Sequence, residues 1–506
     1  MHLIQVLGTI VYFTVLAAMA VYGVHRYVVL YLYYRYRRNG QQSPDRFVEM
    51  PTVTVQLPLY NEMYVAERLM DAVAALDYPR NKLEIQVLDD STDETTRIVA
   101  GKVAALRAAG YKIEHVQRQD RRGYKAGALQ NGLKTATGEF IAIFDADFVP
   151  RPDFLQRTIH HFTNPCAGMV QTRWGHLNER YSLLTRLQSI IVDWHFIIEQ
   201  TARSRSGRFF NFNGTAGIWR RAAIETAGGW HADTLAEDLD LSYRAQMKGW
   251  GFIFLPDVVT PGELPPDMNA FKTQQHRWAK GSVQACKKLL PLIWRANVPL
   301  KVKIEGTVHL TSNFGHLMLL LLCFVFRTAA AGAADDVSGG SPWMKMLLVD
   351  VPLFFAATVS ISAFYFCAQK QLHADWLKRL LYIPLLLAVG IGLSVNNARA
   401  VLEAIFNQQS EFVRTPKYGA CLRSEMGRTS GYATLRSLVP YIEFIFGVYF
   451  SLLQIEAVET GQWMLVPFIV MFQTGFFYVS ILSFWQMFGR RIRGNRPELL
   501  PAGAIG

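Results

Sequence analysis

Phe140-Ile-Ala-Ile-Phe144-Asp145-Ala-Asp147 is an unbroken apolar run that stops at two carboxylates. Such a run reads as a strand buried on both faces, as strands of parallel sheets are. Upstream, Thr52-Val-Thr-Val-Gln-Leu57 is a further strand ending at Pro58-Leu-Tyr-Asn61, and Leu83-Glu-Ile-Gln-Val-Leu88 another ending at Asp89-Asp90. Lys112 to Val116 makes a short fourth strand, and helical patterns over 65–76, 95–109 and 127–134 separate the four. Strands alternating with helices predict an α/β unit with a mostly parallel, doubly covered sheet. Ligands of such sheets sit at the carboxyl ends of strands, where the acidic residues of this chain fall.

The 506 residues exceed one such unit, and the composition shifts along them. From about Pro51 to Pro261 the chain reads as soluble α/β, whereas several later segments are close to continuous hydrocarbon. Candidate membrane spans are Leu7–Tyr33, Val308–Arg327, Leu347–Cys367, Leu435–Ile455 and Met464–Phe488. The first is too long and aromatic for a secretory leader and is followed by Arg35, Arg37 and Arg38. Leu380–Leu393 is short and leads into Asn396, Asn397, Arg399 and Glu403. Basic flanks put both of its ends on one side, so it reads as interfacial or re-entrant. About five spans remain, with an inside carboxyl terminus. The expected organisation is an N-terminal spanning helix (1–38), a cytoplasmic catalytic domain with interfacial helices (39–300), a transmembrane region with a cytoplasmic loop near 408–430 (301–489), and a basic tail (490–506).

The net charge of +12 sits beside apolar segments, including Arg490, Arg491, Arg493 and Arg496 after the last one. That distribution points to a lipid bilayer as partner and argues against nucleic acid. Five scattered cysteines without a Cys-x-x-Cys support neither a disulfide framework nor a zinc site.

Asp145 and Asp147 alternate at the end of a strand too apolar to leave charge unpaired. A hard divalent cation bridging to phosphate oxygens answers that cost, and Mg²⁺ or Mn²⁺ suits such oxygen ligands; a plain turn before Pro150 and Pro152 is the alternative. Asp89 and Asp90 could accept hydrogen bonds from a base or ribose, or Ser91 and Asp93 could simply cap the next helix. Arg121 to Gly127 is a basic loop opening a helix, where Lys125 and free amides favour a phosphate, without the spacing of an ATP-hydrolysing loop. Phe209 to Thr215 mixes rings with Asn213, Gly214 and Thr215, a combination suited to a sugar or to a buried strand and turn. Glu237 and Asp238 open a helix, and one of them could deprotonate a hydroxyl while the other serves the helix N-terminus. Gln274, Arg277 and Trp278 supply an amide, a planar cation and a large ring, fit for a pyrophosphate and a sugar face. Phe412 to Lys417 is a basic loop that could contact headgroups or cover a phosphate-bearing donor.

In their order along the chain, Asp89-Asp90, Asp145-Ala-Asp147, Glu237-Asp238 and Gln274-x-x-Arg277-Trp278 resemble the processive, inverting family 2 glycosyltransferases of the cellulose synthase superfamily. Gln171-Thr-Arg-Trp174, Leu184-Thr-Arg-Leu-Gln188 and Phe212-Asn-Gly-Thr-Ala-Gly-Ile-Trp219 are similar to stretches of its cellulose synthase-like A and C groups, which make β-mannan, glucomannan or β-glucan. The likeness runs from about Pro51 to Lys417.

This resemblance implies a GT-A-like α/β glycosyltransferase domain on the cytoplasmic side, joined to an α-helical transmembrane region of the plasma (inner) membrane. It implies that Asp89 and Asp90 hold the nucleoside and Lys125 the diphosphate. Asp145 and Asp147 would serve the nucleotide and its Mg²⁺ or Mn²⁺, with Asp147 the direct ligand. Asp238 would be the general base, and Gln274, Arg277 and Trp278 would hold the leaving diphosphate and the acceptor sugar. The implied donor is UDP-glucose or GDP-mannose, the acceptor a growing polysaccharide, and accessory export subunits are possible partners. Phe412, Thr415 and Lys417 match the family's gating loop, but Arg414 stands where it has Val. Ala236 likewise replaces the usual Thr before the acidic pair. A single-addition, ceramide glucosyltransferase-like lipid enzyme and a transporter or scaffold with a nucleotide-sensing domain are the competing readings.

Overall fold

The computed structural model describes residues 2–39, 45–335, 355–408, 415, 417, 419, 437–463 and 465–494. Within Val53–Gly262 seven strands form one sheet: β1 (Val53–Leu59), β2 (Leu83–Asp89), β3 (Ile113–Gln117), β4 (Phe140–Ile143), β5 (Ala167–His176), β6 (Gly217–Arg220) and β7 (Gly251–Gly262). Their order across the sheet is β3-β2-β1-β4-β6-β5-β7. All pairs are parallel except β6, which runs antiparallel to β4 and β5. This is the GT-A-like mixed sheet that the resemblance implies, dominated by parallel strands as the alternation of strands and helices predicts.

The period-2 geometry of strands divides β4 between two cores. Phe140 and Ala142 face a layer with Val65, with Leu69 and Val73 of α2 (Ala66–Ala74), and with Val99 and Val103 of α3 (Thr95–Ala108). Ile141 and Ile143 face the opposite layer, with Leu129 and Leu133 of α4 (Tyr124–Leu133), Phe212 and Trp219. The strand is therefore apolar throughout because neither face meets water. Sheet and helices extend somewhat differently from the sequence reading. Strand β1 continues through Pro58 to Leu59, and α4 begins at Tyr124, one turn early, after Gly123 takes the left-handed conformation. The stretch from Phe209 to Ala216 is irregular, with the strand starting only at Gly217.

Further helices are α5 (Leu183–Trp194), α6 (Glu237–Met247), the 28-residue α7 (Met268–Arg295), α8 (Leu300–Thr311), α9 (Phe314–Asp335), α10 (Ser360–Leu372), α11 (Ile383–Gly392), α12 (Ser394–Ile405), α13 (Val439–Glu459) and α14 (Val466–Gly494). The N-terminal α1 spans His2–Tyr36. Among the described residues three helices are long and apolar enough to cross a membrane: Ile10–Tyr36, Val439–Glu459 and Val466–Phe488. Two bent pairs raise the number to five if each counts as one span.

One bent pair joins α8 to α9 at 53°, so the expected straight span over Val308–Arg327 is instead interrupted between Thr311 and Phe314. The other bends by 41° at Leu393, a geometry shared by broken spans and re-entrant loops. Of Leu347–Cys367, residues 347–354 lie outside the described residues; of the loop near 408–430, only Gln408, Thr415, Lys417 and Gly419 lie within them. Helix α14 runs to Gly494, so the first residues of the expected basic tail are helical. Close backbone approach ties α11 to α14: a Cβ on Gly475 would lie 2.1 Å from the carbonyl oxygen of Ala388. Only small residues permit that packing where apolar burial gives no advantage over lipid.

Candidate active site

The antiparallel turn of β6 creates the site. Gly217, the first residue of β6, pairs with Ile143, the last of β4. The residues just before β6 therefore meet those just after β4, which a parallel strand would have placed at opposite ends of the sheet. Thr215 Oγ1 accepts a hydrogen bond from the amide of Asp145 at 2.8 Å. Lys125, in the first turn of α4, donates to Asp145 Oδ1 at 2.5 Å and to the Gly214 carbonyl at 2.9 Å. Burial pulls its ammonium down, but the charges of Asp145, Glu237 and Asp238 hold it above its ordinary value.

Asp238 arrives from the start of α6. Gly214 has φ +82°, and a Cβ there would come within 3.1 Å of Asp238 Oδ2 and 3.4 Å of Lys125 Nζ. A residue without a side chain is thus what lets the backbone at 214 pass between them. Burial, and next the charge of Glu237, push the Asp238 carboxyl up to about 7 against the pull of Lys125. That value suits a group that must take a proton near neutral pH. Asp147, on the far side of Asp145, is ion-paired with Lys417.

These groups line one continuous cavity of about 2340 Å³. Asp90, Lys125, Asp145, Asp147, Asn213, Gly214, Glu237 and Asp238 form part of its wall, with Gln274, Arg277 and Trp278 from α7 and Thr415 and Lys417. It continues among the apolar helices, past Tyr12 and Phe13 of α1, to Trp463 and to Phe472 of α14. Asp89 and Thr215 are not on the wall and stand one layer behind it. Asp89 accepts from the Ser91 amide and faces His115 Nε2 at 2.9 Å. Burial raises its carboxyl, yet His115 and Ser91 outweigh that and leave it below the usual range. Asp90 is gripped by two nitrogens of Arg118. The capping reading holds for Asp93, which accepts the Thr95 amide, while Ser91 accepts the Asn61 amide instead.

Several participants escape a reading of the sequence. His115 and Arg118 lie at the end of β3, beside the end of β2 because the two strands are parallel; that pairing was the available signal. Deeper in the cavity, Arg203 joins Glu199 and Glu305, and His25 of α1 meets the same Glu305 at 3.0 Å. His195 ties this network to Asn213 through a 2.9 Å hydrogen bond. These residues are spread over 280 positions, so no local pattern announces them. His231, Asp233 and Asp240 also lie close enough together to hold a metal. Lys288 already fills that group, 2.8 Å from Asp233 and 3.0 Å from Asp240.

A family model described as "Glycosyltransferase like family 2" matches residues 51–281, the whole sheet and the first half of α7. The chain carries a glycosyltransferase family 2 domain. Its relatives include a glucomannan 4-β-mannosyltransferase of Arabidopsis thaliana, 45% identical over 269 residues, 52% of this chain and 50% of the relative. Another, from Oryza sativa subsp. japonica, is 43% identical over 270 residues, 52% of this chain and 51% of the relative. The chain spans about half the length of the curated relatives it matches. Among solved structures, a Pyrobaculum calidifontis mannosyltransferase in complex with GDP-Man and Mn²⁺ aligns at TM-score 0.49 and 24% identity, over 78% of this chain and all of that one. In the family 2 domain, α7 bears on the acidic segment directly. A Cβ on Gly281 would lie 2.8 Å from the backbone of Leu235, and the Leu235 amide donates to Gln284 Oε1 at 2.9 Å.

Proposed function

We propose that the chain is a membrane-integrated, inverting hexosyltransferase that extends a β-linked polysaccharide of the β-mannan type from GDP-mannose and passes it across the membrane. The observation that carries this reading is the meeting of Asp238, Lys125 and Asp145 around Gly214, in the wall of a cavity that continues between apolar helices. The mannosyltransferase names of relatives at 42–45% identity support mannose as the transferred sugar.

In this reading Asp238 accepts the proton of an acceptor hydroxyl as its oxygen attacks the anomeric carbon. The bond from that carbon to the diphosphate breaks on the opposite face, inverting the configuration, and the diphosphate leaves with the electron pair. Lys125 and Arg277 lie on the wall where that negative charge develops. Direct displacement by the acceptor oxygen requires no covalent intermediate.

Asp145 and Asp147 fit a divalent cation: both offer carboxylate oxygens to the cavity, and each already draws a cationic partner, Lys125 and Lys417. When bound, Mg²⁺ or Mn²⁺ would supply charge stabilisation at the diphosphate oxygens. Asn213, Glu237, Gln274 and Trp278 border the space for the acceptor sugar, Asp90 the space for the nucleoside, and Asp89 and Thr215 brace that wall from behind. The domain organisation follows: 1–38 as an anchoring helix, 39–300 as the catalytic domain on the cytoplasmic side, 301–489 as the passage, and 490–506 as a basic end.

The test is incubation of membranes carrying the chain with radiolabelled GDP-mannose or UDP-glucose, followed by digestion with linkage-specific glycanases. A long product from GDP-mannose, degraded by a β-mannanase, is expected. A single added sugar on a lipid overturns polymerisation, and a product made only from UDP-glucose overturns the choice of donor.

A further inference from the structure

Helix α7 has two faces with different tasks. At about 100° of turn per residue, Lys272, His276 and Lys280 fall on one face and Gln274, Arg277 and Trp278 on the other. The second face lines the cavity. The first is basic at every turn, and it is buried: Lys280 is 1% exposed and Lys272 5%.

Each basic residue on that face meets an acid from the apolar helices. Lys272 Nζ lies 2.5 Å from Glu443 of α13 and donates to Ser483 Oγ of α14 at 2.8 Å. Glu443 is wholly buried in the second turn of a largely apolar helix. Lys280 Nζ lies 2.9 Å from Glu403 of α12, and His276 Nε2 lies 3.2 Å from the same carboxylate. Between the two pairs, Asn396 of α12 donates to the Lys272 carbonyl at 2.9 Å. Three apolar helices thus grip one face of α7 by charge and hydrogen bonding.

Stability does not account for this arrangement. Removing two charges from water costs several kcal/mol per ion, and apolar residues of the same volume usually hold such an interface as well or better. An ion pair does something apolar packing does not: it fixes one rotation and one height, because a slip leaves a charge unpaired in a dry interior. A slip of α7 would also turn Arg277 and Trp278 out of the cavity.

We propose that Lys272–Glu443 and Lys280–Glu403 are positioning pairs for glycosyl transfer. They lock α7 in the register that presents Gln274, Arg277 and Trp278 to the diphosphate and acceptor where the catalytic cavity enters the apolar helices. The inference rests on the transferase reading above. Its effect falls on the transfer step, at the leaving diphosphate and the acceptor, rather than on capture of the nucleotide, because Asp90, Lys125 and Asp145 are anchored in the sheet domain.

The test uses the full chain in lipid nanodiscs with four variants: Glu443→Gln, Glu403→Gln, Lys272→Met/Glu443→Leu, and the charge-conserving Glu443→Asp. Three quantities are read for each: GDP affinity by calorimetry, hydrolysis of GDP-mannose by water, and mannosyl transfer to acceptor. The two glutamine variants are expected largely to keep GDP affinity while transfer falls on the order of 10- to 100-fold, and hydrolysis, which breaks the same bond to the diphosphate but needs no acceptor, falls less. The apolar double variant is expected to match the wild type in melting temperature yet remain slow in transfer, and Glu443→Asp to recover part of it. Recovery of transfer in the double variant, or a loss of GDP affinity as large as the loss of transfer, would overturn the proposal. Should the double variant not fold, Glu403→Gln decides alone: wild-type transfer there refutes positioning, and selective loss supports it. A wild-type chain that neither transfers from nor hydrolyses GDP-mannose or UDP-glucose overturns the transferase reading, and this inference with it.

Discussion

Replacing Asp238 with Asn should cost the protein its chemistry while making it more stable, and more so at higher pH. The carboxyl is raised from its ordinary 3.8 to about 7 by burial and by Glu237. The folded chain therefore holds this proton more tightly than the unfolded chain, and stability is lost as pH climbs from the unfolded value through the folded one. Between pH 5 and pH 8 that loss has a ceiling of about 3 kcal/mol, at about 1.4 kcal/mol per pH unit over the interval where the two states differ. Partial solvent access of the site leaves on the order of 1–2 kcal/mol. A side-chain amide in its place carries no such proton, so the variant should gain stability over the wild type by about that much more at pH 8 than at pH 5. Transfer should fall by about 10²- to 10⁴-fold, the usual worth of a positioned base, with GDP affinity kept. Thermal unfolding at the two pH values, together with transfer and calorimetry, checks all three. A variant that transfers normally refutes the base assignment, and a stability difference independent of pH refutes the raised carboxyl.

Three further outcomes follow from the same geometry. The wild-type transfer rate should drop about tenfold between pH 8 and pH 6, as ionisation of a base near pH 7 requires, and Glu237→Gln should move that limb to lower pH in a pH–rate profile. Gly214→Ala forces a side chain into the left-handed region and against Asp238; it should lower transfer at least tenfold, for a stability cost of about 1 kcal/mol, read by activity and melting temperature. Lys417→Ala removes the ammonium from Asp147, and Mn²⁺ binding followed by electron paramagnetic resonance should tighten severalfold, on the order of 1 kcal/mol for one removed like charge.

The strand and helix order was legible because β4, β1 and β2 are buried on both faces and so spell out continuous apolar runs. The acids that end them were legible for the same reason: charge following such a run must lie at a strand end. Less visible was β6, whose four residues give no periodic signal and whose antiparallel direction decides which groups meet Asp145. The break between Thr311 and Phe314 was also hidden, since hydropathy averages over a bend. The roles of Lys272, His276 and Lys280 could not be read locally, because a basic helix face looks solvated until Glu443 and Glu403, more than a hundred residues on, are placed against it.

The contact of Gly281 with the backbone of Leu235 and Ala236 leaves no room for a side chain between α7 and the segment that carries Asp238. Asp238 and the Gln274–Trp278 stretch consequently belong to one closely packed piece. Engineering that exchanges only the acidic segment, or only the Gln274–Trp278 stretch, between two enzymes of different acceptor preference would break their mutual fit. A transplant that preserves this fit has to carry the chain unbroken from Leu235 to Gln284.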